Sequence, residues 1–429
     1  MTTMTSHPPR LSRLWCLLLA LALGPAGCVL PEQGVTDDDT SDDDTGDDDT
    51  GDDDTSPATD EELFRAAADG TMDADEALDR IAASGGLPVL GETGSFLFGC
   101  LCGPGDWMLT GDHEGWAGQA TERTGDFSWI EVEIPSPIES LYKFTDGGSW
   151  IADPAGRRFG FDEFGEYSLV RAEAAHLERW YGVEGFGLQA RDLQVWVPGG
   201  GVFTHLLLAQ DGQNLFDPEA IWGGWLLNES LPVGMLVAGI DNTAARMDEY
   251  TPVTDVIHGT EMGGLGDEYA DLVELVVRPL IEDEYGIGEA TGVMGSSLGG
   301  LISLHIADRY PDRYDMVISM SGTVGWGSIG ANEPTVIETY PAGGLRDAWV
   351  YLDSGGLGTC FDGDGDGIED DDPDAWDNYC ENLQLRDALA AVGYQHDVDL
   401  WHWHEPGAEH NEVEWAARVW RPLEIFATR

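Results

Sequence analysis

The stretch GVMGSSLG at residues 292–299 decides the fold of this chain. It begins as a short apolar run, passes through Gly295-x-Ser297-x-Gly299, and continues into a helical pattern that extends to Arg309. Glycines on both sides of the serine suit a sharp turn with unusual backbone angles, because larger side chains would collide there. The pattern predicts a strand, a tight turn and a helix, with Ser297 at the helix N-terminus, where developing negative charge is stabilised.

Strand and helix patterns alternate on both sides of this motif. Strands are predicted at 193–197, 206–209, 235–240, 316–320, 348–352 and 398–403, and helices at 267–281, 298–309 and 381–392. Such alternation is typical of a mostly parallel sheet covered by helices on both faces, so the sequence predicts an α/β fold from about His176 onward.

A nucleophilic serine needs a histidine base, which follows the serine and an acid in chain order when Gly-x-Ser-x-Gly joins a strand to a helix. Four histidines near the C-terminus are candidates: His396, His402, His404 and His410. We favour His410, because it lies in a loop after the last predicted strand and before a helix that starts near Val413. His404, at the end of that strand, is the second choice.

The acid of the site is expected after the predicted strand 348–352. Asp377 is favoured because it precedes the helix that leads to the last strand, while Asp353 and Asp374 stay open as alternatives. The backbone N–H of Leu298 is expected to stabilise an oxyanion, together with that of Gly212 or Gln213 in the turn after an early strand.

Four segments together resemble one known family. They are DGQNLFD at 211–217, GIDN at 239–242 with Arg246 and EYTP at 249–252, the serine motif, and GAEHNE at 407–412 with Trp415. The resemblance is to the Putative esterase family of α/β-hydrolases, which includes esterase D, enterochelin esterases, feruloyl esterases and mycolyltransferases. It covers about Leu177 to the C-terminus and implies ester hydrolysis by Ser297 and His410. Arg246 and Glu249 are expected to form a supporting ion pair.

An acidic insertion separates the predicted strand 348–352 from Asp377. Its carboxylates alternate with glycines, and such hard oxygen ligands suit Ca²⁺; the candidate ligands are Asp362, Asp364, Asp366 and Asp370. The loop resembles the calcium loops of thrombospondin type 3 repeats. Pro373 at the twelfth position excludes a full EF-hand. A structural calcium ion is therefore expected, with a solvated acidic loop as the alternative, and no cofactor is expected to take part in catalysis.

The N-terminus has the order of an export signal. Arg10 and Arg13 precede an apolar run, and small residues lead to Cys28, in a box that resembles a bacterial lipoprotein cleavage site. Residues 1–27 are therefore predicted to be a signal peptide, with lipid attached to Cys28. Residues 28–60 carry a repeated Asp-Asp-Asp-Thr pattern whose like charges predict an extended tether. The protein is expected to be exported, either anchored to a bacterial envelope or secreted.

Residues 61–175 differ from the region that follows. A helical pattern at 61–83 precedes short strand-like runs, and we predict a helical lead-in with a small β-sandwich. The sandwich resembles the immunoglobulin-like, glycogen-binding type of carbohydrate-binding module that precedes many esterases, with Trp116 and Trp129 as aromatic candidates. The α/β-hydrolase domain is predicted at 176–429.

Charge and cysteines narrow the class of protein further. The chain has 81 acidic and 20 basic residues and a formal net charge of −61, which would repel phosphate backbones and argues against nucleic-acid binding. Outside the export segment there are four cysteines. A bridge between Cys360 and Cys380 is favoured, whereas a direct bridge between Cys100 and Cys102 is disfavoured because one residue separates them.

The sequence therefore predicts a serine esterase acting on a small-molecule or polysaccharide ester, with acyl or feruloyl esters of carbohydrate and siderophore esters as the candidates. Two other functions stay open. One is a surface carbohydrate-binding protein that uses the same fold without turnover, and the other is acyl transfer to an alcohol in place of water.

Overall fold

Six neighbouring strands run parallel through the C-terminal part of the chain. The computed structural model describes residues 58–371 and 377–429, so the predicted signal peptide, Cys28 and nearly all of the predicted tether lie outside the described residues. In spatial order the six strands are Leu400–His404, Trp349–Ser354, Met316–Met320, Ala290–Ser296, His205–Gln210 and Met235–Ile240. The predicted parallel α/β arrangement is present.

Helices cover both faces of these strands. Adjacent residues of one strand, such as Val293 and Met294, belong to separate apolar clusters because successive side chains point to opposite faces. One face packs against Gly266–Leu272, Val273–Val277, Arg278–Tyr285, Leu298–Arg309, Val336–Ala342 and Tyr379–Val392, and the other against Glu412–Arg418 and Trp420–Phe426. Burial on both faces explains why the strands are continuous apolar runs.

The order of the strands in the sheet determines where the predicted site residues lie. The chain leaves His205–Gln210 for Met235–Ile240 on one side and returns to Ala290–Ser296 on the other. The carboxyl ends of these strands therefore meet at a topological switch point, which is where open α/β sheets bind their ligands. The turn after Gln210 and the turn after Ser296 lie at this point.

The same sheet continues into the N-terminal region and has fourteen strands among the described residues. Beyond Met235–Ile240 the order is Arg191–Val197, His176–Val183, Arg158–Asp162, Gly165–Leu169, Leu141–Thr145, Met108–Gly111 and Gln119–Ala120, with Trp150–Ile151 paired to Leu141–Thr145. Leu177 pairs with Phe159 across the predicted boundary at 175. The strands on either side of that boundary thus belong to one sheet, and residues Asp60–Arg429 form one compact unit.

A second sheet packs on this N-terminal extension. Its strands are Val89–Leu90, Phe96–Cys100, Phe127–Val132 and Glu122–Thr124, and Phe98, Leu109 and Phe144 fill the space between the two sheets. Two helices, Asp60–Ala68 and Ala74–Ser84, cover the region 61–83, where a helical pattern was predicted. The helix divides because the Asp73 carboxylate accepts the N–H groups of Asp75 and Glu76, which caps a new N-terminus.

The remaining elements are short. One hairpin pairs Thr254–Ile257 with Thr260–Gly263, and another pairs Cys360–Phe361 with Asp370–Asp371. Arg246–Glu249 is a single helical turn. The 3₁₀ turns lie at Asp112–Glu114, Gly199–Gly201, Gly212–Asn214, Ile221–Gly223 and Leu227–Glu229. In residues 58–371 and 377–429, no helix is long and apolar enough to cross a membrane.

The four cysteines of the described residues form two disulfides. Cys360 is bonded to Cys380, as favoured from the sequence. Cys100 is bonded to Cys102, so the expectation against this bridge is wrong. The Cα atoms of Cys100 and Cys102 lie 5.2 Å apart, inside the range of about 4.4–6.8 Å that disulfides usually span.

Candidate active site

Ser297 occupies the tight turn that the sequence motif predicts. It follows the strand Ala290–Ser296 and precedes the helix Leu298–Arg309, with backbone angles φ 56° and ψ −125°. A Cβ added to Gly295 would collide with the backbone of Gly299, which explains the glycine at position 295. This left-handed conformation is unfavourable for a serine and is found where surrounding structure imposes it, often at functional sites.

The turn after the strand His205–Gln210 lies against this serine turn. A Cβ on Gly299 would be 3.1 Å from the Gln210 Cβ atom, so the two turns are in close contact. Gly212 is itself forced to be glycine, because its Cβ would be 2.6 Å from the Gly239 carbonyl carbon. The first N–H groups of a helix lack intrahelical acceptors, which leaves the N–H of Leu298 able to bind an oxyanion. Leu298, Gly212 and Gln213 thus lie in adjoining turns.

His410 forms a hydrogen bond with Asp377. The His410 Nδ1 atom is 2.6 Å from Asp377 Oδ1, and both side chains are buried. The other oxygen, Asp377 Oδ2, accepts hydrogen bonds from Ser321 Oγ at 2.8 Å and from the Gly355 N–H. A carboxylate fixed in this way holds the imidazole in one orientation and one tautomer.

Thr323 links the serine to the Asp–His pair. Its hydroxyl oxygen is 3.4 Å from Ser297 Oγ and accepts a hydrogen bond of 3.2 Å from Asn378 Nδ2. Because Asn378 directly follows Asp377, one set of contacts joins the Ser297 turn to the acid that binds His410. The predicted nucleophile, base and acid are therefore connected by contacts at the carboxyl edge of the sheet.

Asp353 is buried beside Asp377, but the carboxylate that binds His410 is that of Asp377. Arg418 Nη2 lies 3.2 Å from Asp353 Oδ1 and 3.3 Å from Asp377 Oδ2, and it donates to Ser321 Oγ at 2.7 Å. Burial, with the neighbouring Asp377 charge, raises the pKa of Asp353 to about 6, although Arg418 opposes the shift. Asp374, the third candidate acid, lies outside the described residues.

Two of the other histidine candidates, His402 and His404, lie in different surroundings. The His404 ring stacks on Tyr379 with centroids 4.0 Å apart, and its Nε2 is 3.3 Å from the Gly356 carbonyl oxygen. Burial lowers the pKa of His402 to about 4, which keeps that ring neutral. Both side chains belong to the packing around the last strand.

The helical turn Arg246–Glu249 takes part in two buried ion pairs. Arg246 binds Asp211 through two hydrogen bonds of 2.7 and 2.8 Å, and Arg191 binds Glu249 through two of 2.9 and 3.0 Å. The expectation that Arg246 pairs with Glu249 is therefore wrong. The error has a physical origin: a single helical turn carries both residues, and each reaches a partner on a different strand end.

Several residues around His410 have contacts that were not predicted from the sequence. The Trp415 ring packs against the His410 ring at 4.9 Å, and its indole N–H donates to Ser321 Oγ. Asn214 Nδ2 donates to Glu412 Oε1 at 3.4 Å, and burial raises the pKa of Glu412 to about 7. Glu412 and Trp415 could have been found from the sequence, because they belong to the motif around His410. Ser321 lies in no recognised motif.

The acidic insertion lies outside this site. Asp362, Asp364 and Asp366 are exposed, and one carboxylate oxygen from each lies within 4.8 Å of the others. Asp370, the fourth predicted ligand, instead accepts the N–H of Gly363 at 3.3 Å. The first three residues are thus grouped as a cation site would require, although exposed acidic groups are often found together without an ion.

The fold and this arrangement define an α/β-hydrolase of the serine type. The chain matches the family described as "Putative esterase" over residues 191–423, which is more than half of its length. The protein belongs to this family. It is 32% identical over 123 residues to the uncharacterized protein YbbA of Bacillus subtilis (strain 168), an alignment covering 27% of this chain and 48% of that relative. The chain thus spans about half of the relative's length.

Solved structures with a similar fold include esterases. The ferric enterobactin esterase of Salmonella typhimurium aligns with a TM-score of 0.44 and 15% identity over 79% of this chain and 95% of that one. An IroE-like serine hydrolase of Shewanella oneidensis aligns with a TM-score of 0.46 and 17% identity over 58% and 80%. At such identities and scores these similarities say nothing about the substrate of this chain.

Proposed function

We propose that the protein is a serine carboxylic-ester hydrolase that forms an acyl-enzyme on Ser297. In the first step His410 Nε2 takes the hydroxyl proton as Ser297 Oγ attacks the ester carbonyl carbon. The N–H groups of Leu298 and of Gly212 or Gln213 bind the oxyanion. His410 then returns the proton to the leaving alcohol, and a water molecule, deprotonated by His410, releases the acid.

One observation carries this proposal: Ser297 is held in a left-handed conformation at a helix N-terminus, at the same sheet edge as the hydrogen-bonded His410–Asp377 pair. A binding protein without turnover has no use for a strained serine or for a buried acid on a histidine. During proton transfer the Asp377 carboxylate stabilises the imidazolium and keeps the Nε2 lone pair directed at the serine.

The substrate is proposed to be an acyl or feruloyl ester of a carbohydrate or a siderophore ester. The acidic chain disfavours strongly anionic substrates, since like charges repel. Acyl transfer to an alcohol would use the same Ser297 chemistry, with the alcohol replacing water in the second step. Product analysis with an added alcohol separates the two: free acid supports hydrolysis, and a new ester supports transfer.

The proposal is tested by hydrolysis of p-nitrophenyl acetate and methyl ferulate by the full chain. Ser297→Ala should lower kcat by at least about 10³-fold, since the nucleophile is lost. Ser296→Ala is the matched control, because it removes the neighbouring hydroxyl from the same turn, and it should keep most of the activity. Turnover that survives in Ser297→Ala would overturn the proposal.

We further propose a structural Ca²⁺ at Asp362, Asp364 and Asp366, whose grouped carboxylates support it. Calorimetric titration of the full chain with CaCl₂ tests this, with all three residues changed to Asn as the control. Heat that persists in the triple variant would assign the binding elsewhere, including to the aspartates at 37–54.

Export with a lipid on Cys28 is also proposed, on the order of charged, apolar and small residues before it. Expression in a bacterium with radiolabelled palmitate should label the protein, and Cys28→Ala should abolish that label. Equal labelling of both forms would contradict the lipid anchor.

A further inference from the structure

Thr323 contacts the nucleophile from the end of the neighbouring strand. It follows the strand Met316–Met320, and its hydroxyl oxygen is 3.4 Å from Ser297 Oγ. The Thr323 N–H donates to the Ser297 carbonyl oxygen at 3.1 Å, and the Ser297 N–H donates to the Met320 carbonyl oxygen at 2.9 Å. These two backbone bonds fix the serine turn relative to Thr323, so the two hydroxyl groups are held next to each other.

Asn378 restricts the direction of the hydrogen bond between these hydroxyl groups. Its Nδ2 atom donates to the Ser321 carbonyl oxygen at 2.8 Å and to Thr323 Oγ1 at 3.2 Å. Because a carbonyl oxygen only accepts, the amide must direct its nitrogen to this side. Asn378 therefore occupies one lone pair of the Thr323 oxygen, and the Thr323 hydrogen has Ser297 Oγ within reach as its acceptor.

The Asn378 side chain is itself held in place. Its backbone is left-handed, with φ 54° and ψ 31°, a conformation that asparagine adopts more readily than most residues. Asn382 Nδ2 donates to the Asn378 carbonyl oxygen at 2.7 Å and to the Gly322 carbonyl oxygen at 2.8 Å, and both asparagines are buried. Two amides thus tie the segment 321–323 to the start of the helix Tyr379–Val392.

We propose that Thr323 is a further catalytic residue that donates a hydrogen bond to Ser297 Oγ, and that Asn378 is the positioning residue that sets the direction of this donation. Because Ser297 Oγ accepts from Thr323, the Ser297 hydrogen is not used in a bond to Thr323 and is left for transfer to His410. The inference rests on the proposed function and adds two residues to that same site.

The hydrogen bond should strengthen during the reaction. At 3.4 Å it is longer than the range of about 2.5–3.0 Å usual for two hydroxyl groups, so it contributes little before substrate binds. As the Ser297 proton moves to His410 Nε2, negative charge develops on Oγ, and hydrogen bonds to charged oxygens are shorter and stronger. The Oγ lone pair forms the bond to the carbonyl carbon, and Thr323 keeps its hydrogen throughout. A contact that strengthens in the transition state raises kcat.

The test measures how fast Ser297 of the full chain reacts with diethyl p-nitrophenyl phosphate, which phosphorylates the serine and releases p-nitrophenolate. Thr323→Val removes the hydroxyl at nearly constant volume. It should slow this labelling, and kcat for p-nitrophenyl acetate, by about tenfold with KM nearly unchanged. A tenfold loss is about 1.4 kcal/mol, the size of one ordinary hydrogen bond. Thr323→Ser keeps the hydroxyl and should retain most of both rates.

Thr145→Val is the matched control. The Thr145 side chain is also buried, and its hydroxyl likewise donates to one group, the Ser149 carbonyl oxygen, and accepts from another, the Gly147 N–H. The change therefore removes the same number of hydrogen bonds from the strand Leu141–Thr145. It should leave the labelling rate and kcat unchanged.

A double-mutant cycle tests the role of Asn378. Asn378→Gly removes the amide and suits the left-handed backbone. It should slow labelling of the parent by about three- to tenfold and cause no further loss in Thr323→Val, because its effect passes through the Thr323 hydroxyl. Losses that multiply would show that Asn378 acts independently of Thr323 and would contradict its assigned role.

Thermal unfolding is followed for every variant, and Thr323→Ala takes the place of Thr323→Val if the latter is unfolded. An unchanged labelling rate without the hydroxyl, or an equal loss in Thr323→Ser, would overturn the proposal. If the parent is labelled at Ser297 but cleaves no ester, the proposed hydrolysis fails, and the labelling rates still decide the role of Thr323. A parent that is neither labelled nor active would overturn both proposals.

Discussion

Replacing Asp377 with Asn should nearly abolish activity, because the structure forces the new amide into an unproductive orientation. Asp377 Oδ2 accepts hydrogen bonds from three donors, which are Ser321 Oγ, the Gly355 N–H and Arg418 Nη2. An asparagine would direct its single oxygen to these donors and its NH₂ group to His410. His410 Nδ1 would then have to accept a hydrogen bond, and the proton would lie on Nε2.

An imidazole with its proton on Nε2 cannot take the proton of Ser297. Loss of the correct tautomer in a serine triad lowers kcat by about 10⁴-fold, and each factor of ten corresponds to about 1.36 kcal/mol. Since the buried His410–Asp377 hydrogen bond is short, at 2.6 Å, we expect a loss of about 10³- to 10⁴-fold, or roughly 4–5.5 kcal/mol of transition-state stabilisation.

Asp353→Asn is the matched control, because it removes a second buried carboxylate bound by the same arginine. Asp353 is held by Arg418 and by the Ser321 N–H, and the histidine binds Asp377 instead. Loss of the Asp353 charge should therefore lower kcat less than about tenfold. The assay is steady-state hydrolysis of p-nitrophenyl acetate at pH 7.5, with circular dichroism to verify folding. Equal losses in the two variants, or less than a tenfold loss in Asp377→Asn, would refute the assignment of Asp377.

Three further changes act on stability. Arg418→Met leaves two buried carboxylates without their cation and should destabilise the fold by about 3–5 kcal/mol, measured by urea unfolding. Cys360→Ser with Cys380→Ser should lower stability by about 3 kcal/mol, because the unfolded chain regains the freedom of the loop that the bridge closes. Burial raises the pKa of Glu381 to about 8, so Glu381→Gln should raise the melting temperature at pH 9 and change it little at pH 4.

The sign of the Glu381 prediction follows from proton linkage. A carboxyl whose pKa is higher in the folded state binds more protons when folded, so its contribution to stability falls as pH rises from about 4.5 through 8. The amide of Gln can still accept the Gly325 N–H bond that Glu381 accepts, and it never ionises. A larger gain at pH 4 than at pH 9 would contradict the reasoning. The control for Arg418→Met is Arg386→Met, which removes an arginine that pairs with an exposed acid. This change should have little effect on the free energy of unfolding.

The parallel sheet and the serine turn were predictable because their signals are local. Apolar runs mark the strands, and the glycines around Ser297 mark a turn whose geometry excludes side chains. Helix Leu298–Arg309 and strands Met235–Ile240 and Met316–Met320 have their predicted limits. Such signals depend on a few neighbouring residues, so one sequence suffices to find them.

Features that depend on distant pairing were not predictable. The strand His176–Val183 contains the adjacent charged residues Glu178 and Arg179, and its place between Arg158–Asp162 and Arg191–Val197 became evident only with the sheet assembled. The burial of Arg418 could not be predicted from its neighbours in the sequence, since an arginine in a C-terminal helix usually faces solvent. Its role arises from two carboxylates that come from separate strand and loop ends.

The acidic insertion explains why the acid was the hardest residue to assign. It separates Gly355, at the end of a strand, from Asp377, yet the Gly355 N–H donates directly to the Asp377 carboxylate. Asp371 closes the insertion by accepting the N–H groups of Asp377, Tyr379 and Cys380, which fixes the start of the helix Tyr379–Val392. The bridge from Cys380 to the other arm of the loop adds a covalent tie. The insertion can therefore vary in length without displacing the acid, because both of its ends are fastened at the site.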